Sequence, residues 1–129
     1  MQIQTQIAIL AGGCFWCTEA IFKRLRGVVE VMPGYADGAE AVQIKFDPQI
    51  ISFEKLLEVF FALHDPTSLN KQGADEGTQY RSAIFYADES QKKLAETARD
   101  RIAGAVTEIT KLTSFTPAEN YHKEYYERN

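Results

Sequence analysis

Two cysteines one helical turn apart are the residues of this chain best suited to bond-making chemistry, in the run Gly12-Gly13-Cys14-Phe15-Trp16-Cys17. An apolar stretch, Ile7 to Leu10, leads into the two glycines, and a helical pattern opens at Cys14. A cysteine at that junction meets unpaired N–H groups and a partial positive charge, both of which favour a thiolate. Helix-start cysteines are the common nucleophiles of thiol chemistry, and the glycines would let other groups approach the sulfur. Taken alone, Cys14-x-x-Cys17 fits a redox pair and a pair of small apolar side chains equally well. Zinc needs about four ligands. Only His64 and His122 remain as obvious donors, so no metal is expected.

Other candidates must be brought to that thiol by the fold. Glu40 shares the strand phase of Val42, Ile44 and Phe46. If the strand begins at Glu40, its carboxyl points inward. Without a cation partner such a group has a raised pKa and can serve as a general acid. If Glu40 lies in the preceding turn, it is solvated. Phe15 and Trp16 are either core residues or an aromatic wall suited to a small apolar substrate group. Tyr35 shares the parity of Val29 and Val31, and Tyr80 ends a long polar stretch; each offers a phenolic donor or half-buried packing. Asp75, among Gly73, Glu76 and Gly77, reads as a turn carboxylate.

The elements that would position these groups follow from periodicity. Strands are expected at Ile7–Leu10, Val28–Met32, Glu40–Phe46, Ser82–Tyr86 and Val106–Ile109. Pro33-Gly34 should interrupt the second, and Asp47-Pro48 should turn the chain after the third. A helix from Cys14 to Leu25 would bury Cys17, Ile21 and Leu25, with Phe22 beside them, and end at Gly27. A second, capped by Ser52, would run to His64 with Phe53, Leu56, Leu57, Phe60 and Leu63 inward and stop before Pro66. Asp88 caps a third, with Leu94, Ala98 and Ile102 in step. Residues 65–80 form a polar stretch without period, and loops of about that length are usually functional or disordered. The opening order βαββαβ predicts an α+β two-layer sandwich of ferredoxin-like kind with a mixed or antiparallel sheet.

The 129 residues amount to one domain, 1–129, of ordinary globular composition. A net charge of −4 with mixed signs argues against nucleic acid or an anionic membrane as partner. No apolar run approaches the roughly 20 residues of a membrane span, and the N-terminal residues have no basic region of a cleavable signal. A cytoplasmic location is expected, where two cysteines favour catalysis over a structural disulfide.

An ordered set of motifs resembles the peptide methionine sulfoxide reductase A family. The set comprises Gly13-Cys14-Phe15-Trp16-Cys17, Gly34-Tyr35, Phe46-Asp47-Pro48, His64-Asp65-Pro66-Thr67, Asn70-Lys71-Gln72-Gly73-Ala74-Asp75, Gly77-Thr78-Gln79-Tyr80-Arg81-Ser82 and Ala118-Glu119-Asn120-Tyr121-His122. It spans Ile7 to about Tyr126. The resemblance implies that Cys14 attacks the sulfoxide sulfur and that Glu40 protonates the oxygen. It implies that Tyr35 and Tyr80 hydrogen-bond that oxygen, Phe15 and Trp16 hold the substrate methyl, and Asp75 orients the substrate. It further implies methionine-S-sulfoxide, free or in oxidised proteins, as substrate, thioredoxin as reductant, and no cofactor. Members usually carry a longer segment between Gly-Tyr and Ala-Glu, with Pro-Thr-Tyr and Thr-Gly-His in it. Here Gly34 to Glu40 runs almost directly across. Many members also have recycling cysteines near the C-terminus, and none follows Cys17 here, which leaves Cys17 as the expected recycling residue. The competing expectations are a general thiol–disulfide oxidoreductase that does not need Glu40, and a non-catalytic peptide-binding module.

Overall fold

The computed structural model describes residues 4–118. The Asn120-Tyr121-His122 motif, and with it the second histidine, lies outside the described residues. In chain order the elements are β1 (Gln6–Ala11), α1 (Phe15–Phe22), β2 (Val28–Ala36), β3 (Ala39–Phe46) and α2 (Phe53–Leu63). A small hairpin follows, β4 (Lys71–Gln72) and β5 (Asp75–Glu76), then a 3₁₀ turn (Thr78–Tyr80). The chain continues as β6 (Ala83–Tyr86), α3 (Glu89–Asp100), β7 (Glu108–Lys111) and β8 (Thr116–Pro117). The fold is α+β, with a six-stranded sheet ordered β7-β6-β1-β3-β2-β8. It is mixed, because β6 and β7 are parallel while the other neighbours are antiparallel.

Strand alternation sorts the two faces of the sheet. Leu10, Val42, Ile44 and Phe46 meet Phe22, Leu56, Leu57 and Phe60 of the helices in one core. Ile9, Ala39, Ala41, Ala83 and Phe85 form the opposite face, covered by Leu112 and Phe115. Glu40 and Tyr35 fall in the helix-side phase, as the alternation of β3 predicts. Ser52 caps α2, its hydroxyl accepting from the Lys55 N–H at 3.0 Å, and Asp88 caps α3 through the Gln91 N–H at 2.9 Å.

Several expectations are corrected. The buried stripe of α1 is Phe15, Thr18, Glu19 and Phe22, while Cys17 and Ile21 face outward. The helix begins after Cys14, and two phenylalanine rings seven residues apart claim the core side. Glu19 takes a place in that stripe with Lys23 at 3.4 Å. The α-helix ends at Phe22; tight turns, Arg24 N–H to Ile21 O and Leu25 N–H to Phe22 O, replace its expected last turn. A bulge between Val28 and Glu30 breaks the shared parity of Val29 and Val31, leaving Val29 56% exposed and Val31 3%. The edge strand β7 lies two residues beyond its expected start.

Nor does Pro33-Gly34 interrupt β2. The Ala118 N–H donates to Pro33 O at 2.9 Å. A strand residue's N and O point to the same side, so the missing Pro33 donor faces β8 and not the β2–β3 ladder. At Gly34 a Cβ would come within 2.3 Å of Thr116 O. The two strands close through Asp37 and Gly38, at φ 48° and 77°, a type I′ Asp-Gly turn. Tyr35 and Glu40 are thereby cross-strand partners.

Removing the α2 cap should cost stability without touching chemistry. Ser52→Ala is expected to lower unfolding free energy by about 1 kcal/mol, read as a shift of the urea midpoint, with sulfur chemistry at Cys14 unchanged.

Candidate active site

The junction between β1 and α1 is built on backbone freedom. Gly13 stands at φ +86°, and a Cβ there would meet Gln72 at 3.2 Å. Its N–H donates to Tyr80 O at 3.3 Å, which draws the end of the polar stretch against the start of the helix. A Cβ on Gly12 would press the His64 ring at 2.9 Å. Cys14 is the extended residue before the first turn and makes no side-chain cap bond to its helix, so its sulfur is not spent on capping. A carboxyl from across the fold meets the helix start at its first N–H, which no cap side chain reaches: the Phe15 N–H donates to Glu40 Oε1 at 3.3 Å.

That bond decides between the two expectations for Glu40. The residue lies in β3, half-buried, aimed at the helix start. Burial pushes its pKa above the ordinary glutamate range against the opposing pull of the Phe15 N–H, and the nearby Asp75 carboxylate adds to the rise. Asp75, at the start of β5, also acts on Cys17. Partial burial, the neighbouring Cys14 sulfur, to which Cys17 hydrogen-bonds, and Asp75 together push the Cys17 thiol up. The aromatic residues are arranged edge to face. Phe15 is buried, with its centroid 4.9 Å from that of Trp16 and 5.4 Å from that of Tyr35.

Cys14, Cys17 and Asp75 line a shallow groove of about 230 Å³ together with Gly13, His64 and Gln72. A larger groove of about 560 Å³, between α2 and α3, holds none of the candidate residues. Two residues not expected to act at the site support it from below. Gln72 grips the backbone of Asp65 from both ends of its amide, accepting from the N–H at 2.8 Å and donating to the carbonyl at 2.7 Å. This pins the hairpin that carries Asp75. His64 bridges Phe60 O at 2.6 Å and Ser82 Oγ at 2.8 Å, and Ser82 continues to Thr107 Oγ1 at 2.7 Å. Burial lowers the pKa of His64, so a neutral ring, Nδ1–H on the Phe60 carbonyl, suits this chain. Both residues sit inside motifs of the sequence, but their bonds, to the Phe60 carbonyl and Ser82 hydroxyl for His64 and to the Asp65 backbone for Gln72, leave no periodic signal.

Of the expected residues, Cys14, Phe15, Trp16, Tyr35, Glu40 and Asp75 gather around the start of α1. Tyr80 joins them through its carbonyl, and Cys17 opens onto the same groove. Among the described residues no group of three His, Cys, Asp or Glu side chains stands where it could hold a metal, and no helix is long and apolar enough to cross a membrane.

Comparison with known proteins gives a consistent result. The family model "Peptide methionine sulfoxide reductase" matches residues 6–39 and 37–129. The curated peptide methionine sulfoxide reductase MsrA of Sulfolobus acidocaldarius is 47% identical over 146 aligned residues, covering 96% of this chain and 83% of that protein. The crystal structure of Mxr1 from Saccharomyces cerevisiae in reduced form superposes with a TM-score of 0.87 at 30% identity, covering 98% of this chain and 86% of that one. Mxr1 in complex with Trx2 superposes at 0.71 and 26% identity, with 92% and 86% covered. The family match breaks in two at residues 37–39, and the alignment is longer than the 129-residue chain itself. The break in the family match falls at the Asp37-Gly38 turn.

The glycine before the thiol should be intolerant of any side chain. Gly13→Ala combines a left-handed φ with a Gln72 contact, and is expected to cost about 1–3 kcal/mol. It should also slow Cys14 alkylation by iodoacetamide, as the rate of thiol loss would record.

Proposed function

The chain belongs to the peptide methionine sulfoxide reductase family, and from that premise we propose how its own residues carry the reaction. It is an oxidoreductase, and its substrate in this reading is methionine-S-sulfoxide, free or within oxidised proteins. Cys14 attacks the sulfoxide sulfur as Glu40 delivers a proton to the oxygen. The oxygen passes to Cys14, which becomes a sulfenic acid, and the substrate leaves as the thioether, two electrons richer. The observation that carries this reading is the Phe15 N–H bond to Glu40 Oε1. A protonated carboxyl can accept that bond on its carbonyl oxygen and keep its O–H for the substrate. Tyr35 and Tyr80 would hold the sulfoxide oxygen, Phe15 and Trp16 the methyl group, and Asp75 would orient the substrate while keeping Glu40 protonated. The order β6-β1-β3-β2 in a βαββαβ run supports a ferredoxin-like core, and we treat residues 1–129 as one catalytic domain.

Recycling in this reading uses Cys17. The residue capping a helix and the third residue inside it face each other, as capping-box side chains do, and Cys14 and Cys17 hold those two places. The Cys17 thiol condenses with the Cys14 sulfenic acid, releasing water and forming a disulfide. A dithiol donor of thioredoxin type then returns both sulfurs to thiols. The solved complex of Mxr1 with Trx2 supports a donor of that class, and a cytoplasmic setting suits a pair of thiols kept reduced.

Glu40→Gln should slow single-turnover reduction by about 10²–10⁴-fold. The sign of the pH dependence follows from the raised pKa. The acid is present below it, so the wild-type rate holds to higher pH than an ordinary carboxylic acid allows, then falls as pH rises. That fall should vanish in Glu40→Gln. Retention of the full rate would remove Glu40 from the chemistry.

Mass spectrometry after one turnover without reductant tests recycling. The wild type should show no free thiol, and Cys17→Ser should show a Cys14 sulfenic acid trapped by dimedone. A wild type holding one thiol and one sulfenic acid would exclude Cys17 as the resolving residue.

A further inference from the structure

One guanidinium ties together three elements around the site. Arg81 directly follows Tyr80. Its Nη2 donates to Asp37 O at 2.7 Å, its Nη1 to Thr78 O at 2.9 Å, and its Nε to Glu108 Oε2 at 3.0 Å on β7. The Asp37 carboxylate is a looser partner, 3.5 Å from Nη2. The Arg81 side chain is 13% exposed, whereas those of Asp37 and Glu108 are 69% and 51% exposed. Ion pairs with such open carboxylates are weak. The two carbonyl bonds are charge-assisted, directional and held by a rigid planar fork. Arg81 therefore reads the backbone shape of the turn more than its charge.

The place it reads is telling. Asp37 is the first residue of the type I′ turn, two residues after Tyr35 and three before Glu40. Thr78 opens the 3₁₀ turn that ends at Tyr80. One side chain thus spans the two halves of the site. The Asp37-Gly38 turn is also where the family match breaks. In this chain the tight turn is what brings the Asp37 carbonyl to the guanidinium.

We propose that Arg81 is a positioning residue, locking the hairpin that bears Tyr35 and Glu40 against the turn that bears Tyr80. The inference rests on Glu40 acting as the acid. Facing Glu40 are Tyr35, its cross-strand partner on β2, Asp75 on β5 and the Phe15 N–H at the start of α1, while the 3₁₀ turn that ends at Tyr80 packs on β3. Releasing the fork lets the hairpin tip part from the 3₁₀ turn. Water then reaches Glu40 and Asp75 recedes from it. Both changes make Glu40 more acidic, so proton delivery fails at lower pH.

The test is single-turnover reduction of methionine sulfoxide across pH in the full chain. Its variants are Arg81→Lys, Arg81→Gln, Asp37→Asn, Glu40→Gln, and a Gly-Ser insertion between Asp37 and Gly38. Both Arg81 variants should lose about tenfold or more in rate at neutral pH, with the alkaline fall displaced to lower pH. The insertion, which leaves Arg81 intact, should do the same. Asp37→Asn should match the wild type, because the bond that matters goes to the carbonyl. Mere loss of folded protein lowers the amplitude without moving the pH of the fall. If Arg81→Gln does not fold, Arg81→Lys and the insertion decide. An unmoved fall in those two variants overturns the inference, provided Glu40→Gln abolishes the fall. A fall that survives in Glu40→Gln instead overturns the assignment of Glu40 as the acid.

Discussion

The hydrogen bond between the Phe15 N–H and the Glu40 carboxyl is the constraint around which the site is arranged. A helix start leaves N–H groups that need partners. A side chain at Cys14 could reach only the second or third of them, and its sulfur caps neither. For the first, a carboxyl 25 residues away supplies the acceptor, which docks the β2–β3 hairpin onto the start of α1. The Cys14 thiol and the Glu40 carboxyl are thus brought to the same helix start by a bond that the helix needs in any case. The same burial that makes the bond possible disfavours the charged carboxylate, which in the proposed reaction keeps a proton where the sulfoxide oxygen would take it.

The surrounding structure keeps this bond in register. The glycines let the chain turn from β1 into α1 beside His64 and Gln72, without the side chains that would displace either. The chain from Phe60 through His64 and Ser82 to Thr107 joins the end of α2 to the starts of β6 and β7. Gln72 holds the Asp75 hairpin by backbone recognition. None of these groups needs to meet substrate. Each removes a way for the helix start, the hairpin or the loop to move apart, and catalysis is sensitive to misplacement on the scale of an ångström.

Much of this was readable before any coordinates, and the parts that were not have common causes. Val42, Ile44 and Phe46 alternate strictly, so the phase of Glu40 was legible; whether Glu40 lay in the strand depended on a turn between Tyr35 and Glu40. Pro33-Gly34 looked like a break because a sequence does not say which neighbour a proline's missing donor will face. Helical spacing puts Cys17 and Ile21 on the inner face of α1 with Leu25, yet of the three only Leu25 packs against the core, and the stripe contains Glu19, an acidic residue that no hydrophobic pattern would place inside. The Val29 bulge shifts parity by one residue, a change invisible to alternation. Residues 65–80 have no period because they are organised by side chains bonding to backbone, Gln72 to Asp65 within the stretch and Arg81 to Thr78 from just beyond it. The ordered motifs identified the family, whereas spacing alone left Cys14-x-x-Cys17 ambiguous.

The most direct test of the account is the ionisation of Glu40 in the reduced protein, followed by carbon-13 NMR of glutamate side-chain carboxyls and assigned by the signal lost in Glu40→Gln. A Glu40 carboxyl that titrates above the ordinary glutamate value would bear the account out. A midpoint at or below that value would mean that the Phe15 N–H holds a carboxylate in place and that the proton for the sulfoxide oxygen comes from elsewhere.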